Sequence, residues 1–253
     1  MKNTNALKWV NVGATVAMIV VNILANALPL NGLNTGQISD RFEVYFVPAG
    51  YVFSIWGLIY LALLAFTIYQ LTPHSSVTRE RIGYLYALSS VANIVWIFLW
   101  HYEVFPLTVI AMLVLLGSLI AIYLLLGIGK QHPAASERWS VHFPFSLYLG
   151  WITVATVANV TSLLDYLKWD GWGIAPEIWA IIMLIVAAGI ALAVSFTRGD
   201  IVYIAVIVWA YIGIAVKHTA TPAVSIPATV LATLVGLSLV VTVPRVRRRL
   251  TAV

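Results

Sequence analysis

Charged residues in this 253-residue chain fall between its long apolar runs or at their ends, and none stands inside one. The runs lie near 9–29, 47–71, 82–101, 105–129, 141–164, 178–197, 201–217 and 225–243. Most are close to the roughly 20 residues an α-helix needs to cross the hydrocarbon layer of a bilayer. In hydrocarbon every backbone N–H and C=O must be bonded within the chain, so segments of this length and spacing can only close as helices. The expected fold is all-α, a polytopic transmembrane bundle of eight helices. A water-soluble alternative fails on composition, because 62% hydrophobic and 9% charged residues leave too little polar surface to cover a core. The run at 201–217 is the shortest, and it is expected to tilt little or to use snorkelling ends. Between the third and fourth runs stands only HYEVFP, in which Pro106 suits the start of a helix.

Lysine and arginine are retained on the cytoplasmic side of short loops. With eight crossings one side collects Lys2, Lys8, Arg79, Arg81, Lys130, Arg138, Arg198, Arg245, Arg247, Arg248 and Arg249, against Arg41, Lys168 and Lys217 on the other. Both termini are therefore expected in the cytoplasm, with the loops 30–46 and 165–177 facing outward. The formal charge of +5 then reports topology and an anionic-lipid anchor in PRVRRRL, not a nucleic-acid partner. The first apolar run is too long for a signal-peptide core and is expected to remain as a helix. The chain reads as a multi-pass integral protein of a bacterial-type cytoplasmic membrane.

The inventory of reactive groups excludes several chemistries. With no cysteine, disulfides, thiolates and Cys metal sites are absent. All nine acids fall in loops or at helix ends, which argues against a proton pump, since charge movement through hydrocarbon needs a group held inside the bundle. No lysine lies within a span to form a Schiff base. The five histidines, His74, His101, His132, His142 and His218, lie near interfaces without a partner at metal-ligand spacing; His101, beside Trp100 and Glu103, is the one that would suit a haem or metal contact. No nucleophile motif or phosphate loop is present, so no enzyme activity, catalytic residue or metal is expected.

Polar and aromatic residues inside the runs carry the remaining information. Ser89, Asn93, Trp96 and Trp100 share one face of the third helix, and Trp151, Ala155, Asn159 and Ser162 share one face of the fifth, with Tyr148 a turn earlier. In the second helix Trp56 and Tyr60 stand at i, i+4, next to Gly57. An amide in hydrocarbon seeks an internal hydrogen bond, so both asparagines are expected to face the bundle. Two readings follow. In one, asparagines bond across helices, Gly57 and Ala155 permit close packing, and tryptophans fill space. In the other, an aromatic-lined cavity accepts a flat, largely apolar ligand. Trp56, Trp96 and Trp151 lie well inside their runs, whereas Trp9, Trp100, Trp139, Trp169, Trp172 and Trp179 lie near run ends and suit an interface belt.

Three blocks resemble the TspO/MBR family, the translocator or tryptophan-rich sensory proteins. PAGYVFSIWGLIY (48–60) is similar to the family's loop-to-second-helix motif, NIVW (93–96) to its third-helix motif, and WITVATVAN (151–159) to its fifth-helix signature. The resemblance covers roughly residues 8–165. It implies a five-helix bundle over 1–165, followed at 166–253 by a three-helix membrane extension, and a ligand pocket capped by the first loop. Family members bind porphyrins and related tetrapyrroles or sterols, are linked to transport, sensing or porphyrin breakdown, and often form homodimers. Carried over by position, Trp56, Tyr60, Asn93, Trp96, Tyr148, Trp151, Ala155 and Asn159 would form or support that pocket. No cofactor is required, and a tetrapyrrole is the implied ligand; membrane lipids are the other expected partners. The first loop, NGLNTGQISDRFEVYF, lacks the family's tryptophans and leaves Tyr45, Phe46 and Tyr51 as aromatic substitutes, which argues against porphyrin breakdown. Leu147 stands where a proline is usual, with Pro144 three residues earlier. The alternatives are a transporter or channel for another small solute, completed by the extra helices, and a structural or assembly subunit.

Overall fold

Prolines and one aspartate set most of the helix starts. The computed structural model describes residues 4–28 and 30–251, apart from the side chains of residues 4, 5, 74, 76 and 246–251. Lys2 and the side chains of His74, Arg247, Arg248 and Arg249 lie outside the described residues. The eight long helices are α1 (Thr4–Ala27), α2 (Ile55–Gln70), α3 (Leu85–His101), α4 (Phe105–Leu125), α5 (Phe143–Tyr166), α6 (Pro176–Arg198), α7 (Ile201–Lys217) and α8 (Pro222–Thr251). Pro106, Pro144 and Pro176 occupy the first turns of α4, α5 and α6, where a missing N–H costs no helical bond. Pro144 follows a π-helical turn, Arg138–His142, which leads straight into α5. The chain leaves α6 through Gly199 at φ 59° and enters α7 through Asp200, whose carboxylate accepts from the N–H groups of Val202 and Tyr203. Six of the helical segments are long and apolar enough to cross a bilayer, while α3 and α7 are apolar helices of 17 residues each. No strand occurs among the described residues. The molecule is an integral, multi-pass membrane protein.

Helix α5 is the hub. The apolar window containing it is 56% buried, against 28–44% for the other five long segments, because α2, α4 and α7 all pack on it. At the α5–α7 crossing Gly150 provides the close approach: a Cβ there would lie 3.0 Å from Val206 Cβ and 3.2 Å from the Tyr203 carbonyl oxygen. Gly57 does not play this part, since a Cβ added to it would meet nothing within 4 Å. It lies on an open face of α2, which corrects the expectation of close packing there.

Hydroxyls and amides hold the layers together. Helix α1 presents Asn11, Thr15, Met18 and Asn22 at i, i+4, i+7 and i+11, a seam that buries against α2 and α3. Asn11 donates to Gln70 Oε1 at 2.8 Å, Thr15 meets the hydroxyls of Thr67 (2.8 Å) and Tyr86 (2.7 Å), and Asn22 donates to Asn93 Oδ1 at 2.7 Å. Helices α6 and α8 are clasped by the hydroxyl of Ser195, which meets those of Ser238 at 2.7 Å and Thr242 at 2.8 Å.

The α6–α7 turn departs from its expected role. Asp200 is only 7% exposed and accepts hydrogen bonds from Tyr123 of α4 (2.8 Å) and Ser146 of α5 (2.6 Å). A carboxylate that reads as a loop acid is therefore held inside the protein, bonded on both oxygens as a buried charge requires. It ties α7 to α4 and α5. Among the described residues the loops pair with loops of the same end: Arg41 with Glu103, Tyr45 with Glu177 and Lys217 with Asp40 at one, Thr78 with Glu137 and Arg198 with the Ile128 carbonyl at the other. Antiparallel packing of successive long helices gives that segregation.

Candidate functional site

Aromatic residues from α2, α3 and α5 meet beneath the first loop. Trp96 and Trp100, one turn apart on α3, stack with centroids 5.4 Å apart. Trp151 on α5 is met edge-on by Phe53 (5.8 Å) and by Trp56 (6.1 Å), and Trp56 also stacks on Tyr60 at 5.6 Å. These indoles, with Ala155, Asn159 and Met112, surround a hollow of about 50 Å³. Among the described residues no charged side chain lines it.

The eight residues marked out by sequence divide into two groups. Trp56, Trp96, Trp151, Ala155 and Asn159 line the hollow. Tyr60, Asn93 and Tyr148 do not. Asn93 donates to the Tyr148 hydroxyl at 3.1 Å and accepts from Asn22, so both residues are buried in a polar chain linking α1, α3 and α5. Tyr60 packs on the far face of Trp56 from one turn along α2.

Asn159 is both wall and pin. Its Oδ1 accepts from Trp96 Nε1 at 2.9 Å and its Nδ2 donates to Thr108 Oγ1 at 2.8 Å, so one carboxamide joins α5 to α3 and α4. Trp151 Nε1 contrasts with it: the atom is buried and has no hydrogen-bond partner. A buried polar group left unpaired costs about 1–3 kcal/mol, and among the described residues lining the hollow this indole N–H is the one fully buried donor without a partner. Trp100 was expected at the membrane interface, but it is 4% exposed and lines the hollow. Its position near the end of α3 hid this, because the first loop covers that end.

The cover is built from the first loop without tryptophan. Asn34 caps the short helix Thr35–Ser39, and Gln37 returns a bond to the Asn34 N–H. Trp100 Nε1 donates to the Thr35 carbonyl at 3.2 Å, and Thr35, Ser39, Val47 and Pro48 form the roof. His101 is part of this fastening: its Nε2 meets Thr35 Oγ1 at 3.1 Å and its Nδ1 meets the Leu30 carbonyl at 3.1 Å. Both ring nitrogens are thus engaged in holding the loop, and no metal-binding group of three or more His, Cys, Asp or Glu residues occurs among the described residues.

Tyr45, Phe46 and Tyr51 do not stand in for the missing tryptophans, because none of them lines the hollow. Tyr45 donates to Glu177 Oε1 at 2.9 Å, and that bond to a carboxylate, followed by burial, raises its pKa. Tyr51 packs edge-on against Trp209 of α7 at 5.3 Å. The second half of the cover is thus fastened to the C-terminal helices: Ala49 N–H donates to the Gly213 carbonyl at 3.1 Å, and Trp209 Nε1 to the Val52 carbonyl at 3.3 Å. His218, just past α7, packs edge-on to Tyr45, and burial, then the neighbouring Lys217 charge, lowers its pKa.

No curated protein and no solved structure matches the chain at a significant level. The family model described as TSPO-like protein matches residues 8–241, a span that runs from α1 through the fifth helix and into α8. The chain belongs to the TSPO-like protein family.

Proposed function

We propose that this membrane protein binds a flat, hydrophobic ligand, such as a tetrapyrrole or a sterol-like molecule, between α2, α3 and α5 under the first loop, as a receptor or carrier. The observation that carries the reading is Trp151 Nε1, a buried donor without a partner in a largely aromatic and apolar wall. An apolar ligand with one carbonyl or carboxylate handle would accept that hydrogen bond and spread over the indoles. The hollow of about 50 Å³ is far below the roughly 300–1,000 Å³ of ligand clefts, so binding is coupled to movement of the roof and of the Trp56 and Trp100 rings. The roof's fastenings to α3 and α7 are the bonds that such movement breaks.

The test is titration of protoporphyrin into the detergent-solubilised protein, followed by the Soret band and tryptophan quenching. Saturable binding is expected, weakened about ten-fold or more in Trp151→Phe, which keeps an aromatic ring and removes the donor. Absence of saturation, or a response indifferent to Trp151→Phe and Trp100→Ala, overturns the reading. One observation favours a second reading, a structural or assembly subunit: Asn93 and Asn159 both have partners on other helices and need no ligand. The same titration separates the two.

A further inference from the structure

A larger cleft lies away from the hollow, where α5 and α6 diverge. It has a volume of about 360 Å³, within the size range of ligand clefts, and is bounded by the end of α5, the start of α6, the loop between them and the Glu43–Phe46 stretch of the first loop. The sequence reading placed Trp169 and Trp179 in an interface belt. Here both line the cleft, and with Trp172 they form a cluster whose ring centroids are 5.1, 5.3 and 5.9 Å apart.

The loop fixes these rings. Trp179 Nε1 donates to the Gly171 carbonyl at 2.9 Å, and Gly171 sits at φ +64° with the Trp179 ring 3.2 Å from where a Cβ would stand. Asp170 accepts from the Trp172 N–H at 2.9 Å, which closes the turn. Tyr45 is held from the other side by its bond to Glu177. These bonds fix the Trp179 ring and the turn that carries Trp172, and the indoles of Trp169 and Trp179 wall the cleft with π systems, which attract a cation.

Carboxylates form the rim. Glu43, Asp165 and Asp170 all line the cleft. Neither ion pair found among the described residues, Arg41–Glu103 and Lys217–Asp40, involves any of the three. Glu43 and Asp165 make no side-chain hydrogen bond either. Lys168, the one cation in the connecting loop, does not line the cleft. Deeper in, Val160, Leu164 and Met183 give an apolar floor.

We propose that this cleft binds an amphiphilic organic cation, a quaternary or protonated amine on an apolar body. The charged group sits among the indoles and the rim carboxylates, and the body lies on the floor between α5 and α6. Cation–π attraction and the unpaired carboxylates act on the same group, while a neutral ligand would use the floor alone. The ammonium could arrive on a free molecule or on a zwitterionic lipid headgroup. The free cation is favoured, because a headgroup phosphate would be brought against three carboxylates.

The experiment is calorimetric titration of the full-length protein in uncharged maltoside micelles with benzyltrimethylammonium, alongside saturation-transfer NMR of its trimethylammonium signal. Its neutral isostere neopentylbenzene and short-chain dihexanoylphosphatidylcholine are titrated in parallel. Saturable binding of the cation is expected, with Kd raised about ten-fold by Trp169→Ala and by the shape-preserving pair Asp165→Asn with Asp170→Asn, and a comparable preference over neopentylbenzene. No saturation, equal binding of the isostere, or a Kd unchanged in the double amide variant overturns the proposal. Binding of the phospholipid as tightly as the free cation overturns the choice of a free ligand. The double amide variant keeps the fold testable if Trp169→Ala does not fold. Its protoporphyrin titration should equal that of the unmodified protein, so failure at this cleft and failure at the α2–α3–α5 hollow are told apart.

Discussion

Replacing Asp200 by alanine tests how the last three helices are joined to the first five. The carboxylate caps α7 through Val202 and Tyr203 N–H, each at 3.1 Å, and takes the Tyr123 and Ser146 hydroxyls at 2.8 and 2.6 Å. Loss of an N-cap costs about 1 kcal/mol. Two hydroxyls stranded in a buried site add about 1 kcal/mol each or more, giving about 3–4 kcal/mol in all. Asparagine should cost under about 1 kcal/mol, since it caps as well as aspartate and hydroxyls can turn to suit its amide. At about 2–4 °C per kcal/mol for a chain of this size, Asp200→Ala should lower Tm by roughly 6–16 °C and Asp200→Asn by only a few degrees. The assay is intrinsic-fluorescence melting in detergent, to which Trp209 on α7 contributes. If the two variants melt within about 2 °C of each other, the four-bond account of this turn is wrong.

Two glycines give a paired test of packing. Gly150→Ala should destabilise by about 1–3 kcal/mol because its Cβ presses on Val206 and the Tyr203 carbonyl, whereas Gly57→Ala, facing open space, should be neutral or gain up to about 1 kcal/mol; equal melting of the two variants would refute the contrast. His218 gives the pH test. Its pKa is lowered in the folded chain by burial and by Lys217, so above the unfolded value of about 6.5 it adds no pH dependence. As pH falls below that value the unfolded chain takes up the proton first, and stability is lost until the folded pKa is reached. Tm of the unmodified protein should therefore fall more than that of His218→Gln between pH 7.5 and 5; parallel slopes would remove His218 from the account.

The helices were legible because hydrocarbon leaves the backbone one solution, and charges mark where each run must stop. The inward faces of α3 and α5 were legible for the same reason: Asn93 and Asn159 cannot be left against lipid. Their partners were not, since a bond such as Trp96 to Asn159 depends on the relative height of two helices, which no spacing within one helix encodes. The α1 seam of Asn11, Thr15 and Asn22 did carry a signal, the same inward spacing as on α3, and it was missed. Asp200 also carried one, an aspartate directly before an apolar run, which marks a helix start; its burial depends on how the α6–α7 turn presses against α4 and α5. Trp100 and Trp179 were misread by one assumption, that a tryptophan near the end of a run faces the interface. Trp9, Trp139 and Trp172 are 63–74% exposed, but the assumption fails where a loop folds back over the helix end.

The fold-back gives the extra helices their place in the architecture. A first loop without tryptophans has few rings of its own with which to close over the hollow. It is held instead by α3 at its start and by α7 at its end, where the Gly213 carbonyl and the Trp209 indole take up backbone groups of the stretch that leads into α2. Any movement that admits a ligand under the roof must therefore be felt at α7, and α7 is seated on α5 at Gly150, one residue before Trp151. The roof and the wall of the hollow are thus braced by the same helix, which makes α7 part of the frame that encloses the hollow.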